Sequence, residues 1–211
     1  MSGRVTGIAL AFVTAVISGV SIYVNSLAVK HFSDQTVYTT AKNAAAGLLL
    51  LLLLWAVRRR TAVQGAQSRP RPLRGPAHAS APALLILAII GGSVPFVLFF
   101  EGLARAQATQ AAFIQKTLVI WVAILAVPLL RERLRVPHVL AIALLIAGQA
   151  WIAGSAGKVV FGEGEAMILG ATLLWALEVV YVKRLLDDYD SHLLAAARMA
   201  LGTLLLLLWL A

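Results

Sequence analysis

Seven apolar runs, each about the length that crosses a bilayer, carry three cations and a carboxylate at membrane depth. The runs are Val5–Val29, Val37–Val57, Pro82–Gly102, Ala108–Leu130, Val136–Gly154, Ala166–Val182 and Leu193–Ala211. About 20 such residues in a helix span a hydrocarbon layer of about 30 Å. Lipid offers no hydrogen-bond partner to a backbone, so runs of this length fold as helices. The chain is therefore expected to be an all-α integral membrane protein. Composition argues the same way: 61% of residues are hydrophobic, 13% are charged and the mean hydropathy is +0.89. Soluble domains carry about 25% charged residues. The first run is too long for a signal peptide and shows no small-residue cleavage site.

The net charge of +9 could suggest nucleic acid, but its distribution decides otherwise. If the spans alternate, twelve of the 18 basic residues fall on one side, among them Arg58, Arg59, Arg60 and Arg131, and three fall on the other. That asymmetry places the amino terminus in the cytoplasm and the protein in the inner (plasma) membrane. The long connection 58–80 is rich in Arg, Pro, Gly and Ala and is expected to be a flexible cytoplasmic loop facing lipid headgroups. The chain stops in a leucine-rich run with no polar flank, which reads as truncation within a helix. Cysteine is absent, and the four histidines show no ligand spacing, so neither a metal nor a cofactor is expected. No GxSxG, HExxH or GxxxxGK[ST] is present, and an integral-membrane transferase is the different-class alternative.

An ionisable group near the bilayer centre costs about 2.5–3.5 kcal/mol on insertion scales, so it should face a cavity or a partner. Lys116 is the deepest cation, with a salt bridge to Glu178 and a substrate contact as its two readings. Glu178 is the candidate for proton coupling, the alternative being a permanent partner of Lys116 or Arg198. Lys42, Asn43 and Arg198 lie at comparable depths in the second and seventh spans, and Lys42 has a snorkelled, lipid-facing pose as its alternative. Glu101 and Arg105 are spaced as an i, i+4 interfacial pair. Ser18, Ser21 and Asn25 form a stripe on the first span, and Gln110, Thr117 and Trp121 form one on the fourth. Gly91, Gly92 and Pro95 place a flexible point near mid-membrane, where a freed carbonyl can line a cavity or mark a bend. Ala44, Gly47, Ala143, Ala147 and Gly148 are small enough for close helix contact. The expected substrate-binding set is Lys116, Gln115, Arg198, Lys42, Asn43, Asn25, Trp121 and Trp175.

The first two spans resemble the last two. In each pair an aliphatic helix ends in Tyr and Lys, an acidic turn follows, and the next helix sets a basic residue before a Gly and a leucine run. Five spans separate the copies, an odd number, so the second is inverted, as in many secondary transporters. The stretches GVSIYVNSLAVKHF and FFEGLARAQATQAAFIQKTLVIWVAILAVPLLRERLRVPHVLAIALLIAGQAWIAG resemble the first EamA repeat of the drug/metabolite transporter superfamily. GEGEAMILGATLLWALEVVYVKRLL resembles the opening of the second. The resemblance implies two inverted five-helix repeats, here 1–157 and the incomplete 158–211, with about three helices missing, both termini cytoplasmic and alternating access. The departure is Gln115-Lys116-Thr117, where the family commonly has a small, polar, Pro-containing stretch.

Three interior cations against one carboxylate point to a substrate with an anionic group. The expected function is alternating-access transport of a small polar, anionic or zwitterionic metabolite, as proton-coupled export. An amphiphilic-drug exporter using Trp121, Trp175 and aliphatic walls, and a lipid-linked-phosphate flippase, are the alternatives within transport. The expected partners are the substrate, the bilayer and a proton, with a homodimer left open.

Overall fold

The computed structural model describes residues 2–63, 80–131, 136–155 and 161–210, all in helices and short turns. The helices are α1 Ser2–Val29, α2 Gln35–Val63, α3 Ala81–Leu87, α4 Val94–Arg105, α5 Ala108–Lys116, α6 Leu118–Leu130, α7 Val136–Ser155, α8 Glu163–Leu185 and α9 Ser191–Leu210. A π-helical turn, Ala88–Ser93, joins α3 to α4. Six candidate membrane spans result among the described residues, with α3 to α4 and α5 to α6 each counting as one, and α7 contributes a shorter apolar stretch, Val136–Gly148.

Local chemistry sets the ends. The Asp34 carboxylate accepts the backbone N–H of Thr36 at 2.7 Å and caps the start of α2. At the start of α8 the Gly162 N–H donates to Glu165 Oε2 at 3.0 Å. Glu163 and Glu165 in the first turn and Lys183 and Arg184 in the last complement the helix dipole. Arg131, at φ 54°, ends α6 in the left-handed conformation, and Arg184 Nη2 donates to the carbonyl of Leu129. One expectation needs correction: α2 continues through Arg58–Arg60 to Val63 where a loop was expected. No Gly or Pro interrupts that stretch, and Arg is a good helix former, so the helix propagates past the leucine run. The rest of the expected loop, 64–79, lies outside the described residues, as do Arg133, Arg135 and Lys158.

Packing concentrates in one part of the chain. Helix α8 lies against α4, α5 and α6, while α9 lies against α2 and the π-helical turn. Small residues permit these approaches: a Cβ on Gly102 would stand 2.6 Å from the Gly164 carbonyl oxygen. Helix α1 touches α4 and α5, and α7 makes no extended contact among the described residues. Of the small residues expected to pack, Gly47 faces the backbone of Met199 at 3.6 Å, but Gly148 has nothing within 4 Å.

Candidate functional site

The polar face of α1 and parts of α2, α4, α5, α6, α8 and α9 line an open cavity of about 370 Å³. One end is built on Asn25. Its Oδ1 accepts Lys42 Nζ at 2.9 Å and Tyr38 Oη at 2.5 Å, while its Nδ2 donates to Ser21 Oγ at 2.9 Å. Lys42 stands 4.6 Å over the Phe100 ring. Lys42 therefore points inward, and its snorkelled alternative is not the pose adopted. An ammonium with one acceptor and an aromatic face has donors left over.

The other end is built on Glu178 and Arg198. Arg198 Nε pairs with Glu178 Oε1 at 2.8 Å and also donates to the Gly91 carbonyl at 3.0 Å. Glu178 is 5% exposed. Its partner is Arg198, so the salt bridge weighed for Lys116 and Glu178 is not made. Arg198 presents five N–H donors in a rigid fork, and only Nε has a partner among the described residues. Its terminal nitrogens remain uncommitted beside the cavity, with the guanidinium 5.7 Å from the Phe96 ring centroid.

An aromatic wall joins the two ends. Phe96 and Trp175 meet edge to face at 5.4 Å, and Phe99 lies 5.4 Å from both Trp175 and Phe100. Trp175 Nε1 and Gln115 Oε1 are buried without a hydrogen-bond partner. Six of the expected site residues thus line one space: Asn25, Lys42, Gln115, Trp175, Glu178 and Arg198.

Three others fall elsewhere. Lys116 is outside the lining and donates to Ser18 Oγ at 2.9 Å, tying α5 to α1. Helix α5 stops at Lys116, and the chain restarts as α6 after Thr117. That break turns Lys116 to the α1 side while Gln115 and Leu118 line the cavity. Asn43 is 1% exposed and donates to the Gly92 carbonyl at 3.2 Å, away from the lining. Trp121 donates to Thr117 Oγ1 at 3.2 Å and stays outside the lining as well. Glu101 and Arg105 pair at 2.7 Å, as their spacing indicates.

Sequence reasoning missed the phenylalanine wall, because aromatic residues in an apolar span carry no mark of which face they occupy. The mid-membrane irregularity expected at Gly91, Gly92 and Pro95 is present as the π-helical turn. Residue 95 is a proline, so the Gly91 carbonyl has no α-helical N–H to receive four residues on. Gly91 and Pro95 at that separation were a readable signal.

The sequence model of the EamA-like transporter family matches residues 5–154. No curated protein and no solved structure is matched by the chain. Members of that family are transporters rather than enzymes, and a polar cavity walled by membrane-length helices accords with such a role. The chain belongs to the EamA-like transporter family and is a multi-pass membrane transporter of the drug/metabolite transporter superfamily.

Proposed function

We propose that the protein moves a small anionic or zwitterionic metabolite across the inner (plasma) membrane by alternating access, with its amino terminus in the cytoplasm. The observation that carries this reading is the state of Arg198: Nε is held by Glu178 and Gly91, and the terminal fork is left for a ligand. A guanidinium fork matches a carboxylate with two parallel hydrogen bonds, and removal from water strengthens both. Lys42 supplies a second cation at the Asn25 end, so an anion has a station near each end of the cavity. Lys116 serves structure in this arrangement, holding Ser18. The organisation proposed is a first repeat over 1–157 and the opening of an inverted second over 158–211. The likeness of α1–α2 to α8–α9, and the packing of α2 on α9, support it.

Glu178 is the proposed coupling group. A proton there removes the charge that Arg198 now pairs with, leaving the guanidinium for the substrate, so proton and anion assist each other by linkage. In proteoliposomes, Glu178→Gln protein should still exchange substrate across the membrane but lose accumulation driven by a pH gradient. Intact pH-driven accumulation in that variant would sink the coupling.

The aromatic wall favours one second reading, an exporter of amphiphilic cations. A cation would then stand on the faces of Phe96, Phe99 and Trp175 and compete with Arg198 for Glu178. Benzylamine and benzoate share a ring and differ in charge, so stabilisation by one and not the other separates the readings.

A further inference from the structure

The π-helical turn Ala88–Ser93 is the least regular backbone in the packed part of the chain, and three helices grip it. Pro95 leaves the Gly91 carbonyl without the α-helical N–H four residues on, and Arg198 on α9 donates a hydrogen bond to it at 3.0 Å. Asn43 on α2 donates to the next carbonyl, Gly92, at 3.2 Å. Glu178 on α8 packs directly on Gly91, where a Cβ would stand 2.5 Å from the Glu178 carboxyl carbon. Gly202 on α9 lies so close to Gly92 that neither position has room for a Cβ.

One nitrogen therefore makes both contacts, its N–H donated to Gly91. The same Arg198 Nε that pairs with Glu178 holds the backbone of the turn. Whatever draws the guanidinium toward the cavity takes a hydrogen bond from the Gly91 carbonyl. A π turn is a one-residue excess in an α-helix, and such excesses occur often at functional sites, where they shift or resolve. A shift here would turn α4, and with it Phe96, Phe99 and Phe100, relative to α3.

We propose that the π-helical turn Ala88–Ser93 is the moving joint of transport, that Arg198 latches it through the Gly91 carbonyl, and that Asn43 is a positioning residue that holds the Gly92 carbonyl while the latch opens. The coupling of joint to cargo rests on the anion reading of the cavity. The geometry of the latch does not.

The test uses benzoate as the anion probe, with the protein in lipid nanodiscs for amide exchange and in proteoliposomes for flux. In the unaltered protein, benzoate should speed exchange of the amides within 88–97. Pro95→Ala returns an N–H to the Gly91 carbonyl, so it should abolish that benzoate-dependent change and slow maximal flux about tenfold, with KM within about threefold. A merely structural role for the turn would move stability without splitting the maximal rate from KM in this way. Asn43→Ala should speed exchange in 88–97 even without benzoate. Wild-type flux in Pro95→Ala, together with unchanged exchange in Asn43→Ala, overturns the joint. If benzoate leaves the unaltered protein's exchange unchanged while Asn43→Ala still loosens the segment, the anion reading falls and the latch stands.

Discussion

Helices α1 and α8 resemble each other in sequence, yet 6% of the apolar 18-residue window of α1 is buried inside the molecule against 44% of that of α8. Both turn polar side chains to the same cavity, Ser21 and Asn25 from one and Trp175 and Glu178 from the other. They differ in what surrounds that edge. Helix α8 buries Gly164, Ala171, Thr172 and Ala176, small side chains that let α4 and its neighbours close in. Helix α1 keeps Val5, Ile8, Phe12 and Val13 exposed, and these suit lipid as they stand. Lipid tails are as apolar as leucine, so bulk hydrophobicity gives a helix no reason to leave them. Small and polar residues decide which helix packs.

The largest effect should come from the ion pair on the packed side. Arg198→Gln leaves Glu178 buried without its partner, a change of about 3–5 kcal/mol where such pairs have been broken. Equilibrium unfolding in detergent should show that loss, and adding Glu178→Leu to Arg198→Leu should recover much of the stability but none of the transport.

The comparison is sharpest at two glycines. On α8, a Cβ at Gly164 would stand 2.9 Å from the Gly102 carbonyl oxygen, whereas on α1 a Cβ at Gly19 meets nothing within 4 Å. Gly164→Val should lower stability by about 1–3 kcal/mol through overpacking. Gly19→Val should stay within about 0.5 kcal/mol. Equal losses at the two sites would erase the distinction between the helices.

A smaller effect is expected at the hydrogen bond that ties α1 to the fourth span. Ser18→Ala removes the acceptor of Lys116 Nζ and should cost about 1 kcal/mol; because Ser18 also lines the cavity, affinity should fall by no more than about threefold. A large affinity loss there would return Lys116 to the substrate. The smallest change should follow Val13→Ala on the lipid face of α1, about 0.5 kcal/mol or less in a melting series.

Depth was legible in the sequence and direction only in part. Run lengths located the spans, and the expense of charge in lipid singled out Lys42, Lys116, Glu178 and Arg198. Three of those four line the cavity. Lys116, the deepest in its run, stands behind the lining, its ammonium held by the lining hydroxyl of Ser18. The polar stripe of the first span does mark the face that lines the cavity, whereas the stripe of the fourth span, Gln110, Thr117 and Trp121, does not. Asn43 illustrates the same limit: its depth matches that of Lys42, yet the neighbouring position on the helix aims it at a carbonyl. The exception is Gly91 with Pro95, where covalent chemistry alone dictates a freed carbonyl near mid-membrane.

The central claim is that the cavity receives an anion at the Arg198 fork. Thermal stabilisation of the protein by benzoate and by benzylamine, compared in the unaltered chain and in Arg198→Lys, tests it most directly. The account predicts stabilisation by benzoate only, with affinity reduced about tenfold in Arg198→Lys, because lysine keeps the charge and loses the fork. Stabilisation by benzylamine alone, or benzoate binding that Arg198→Lys leaves untouched, would contradict it.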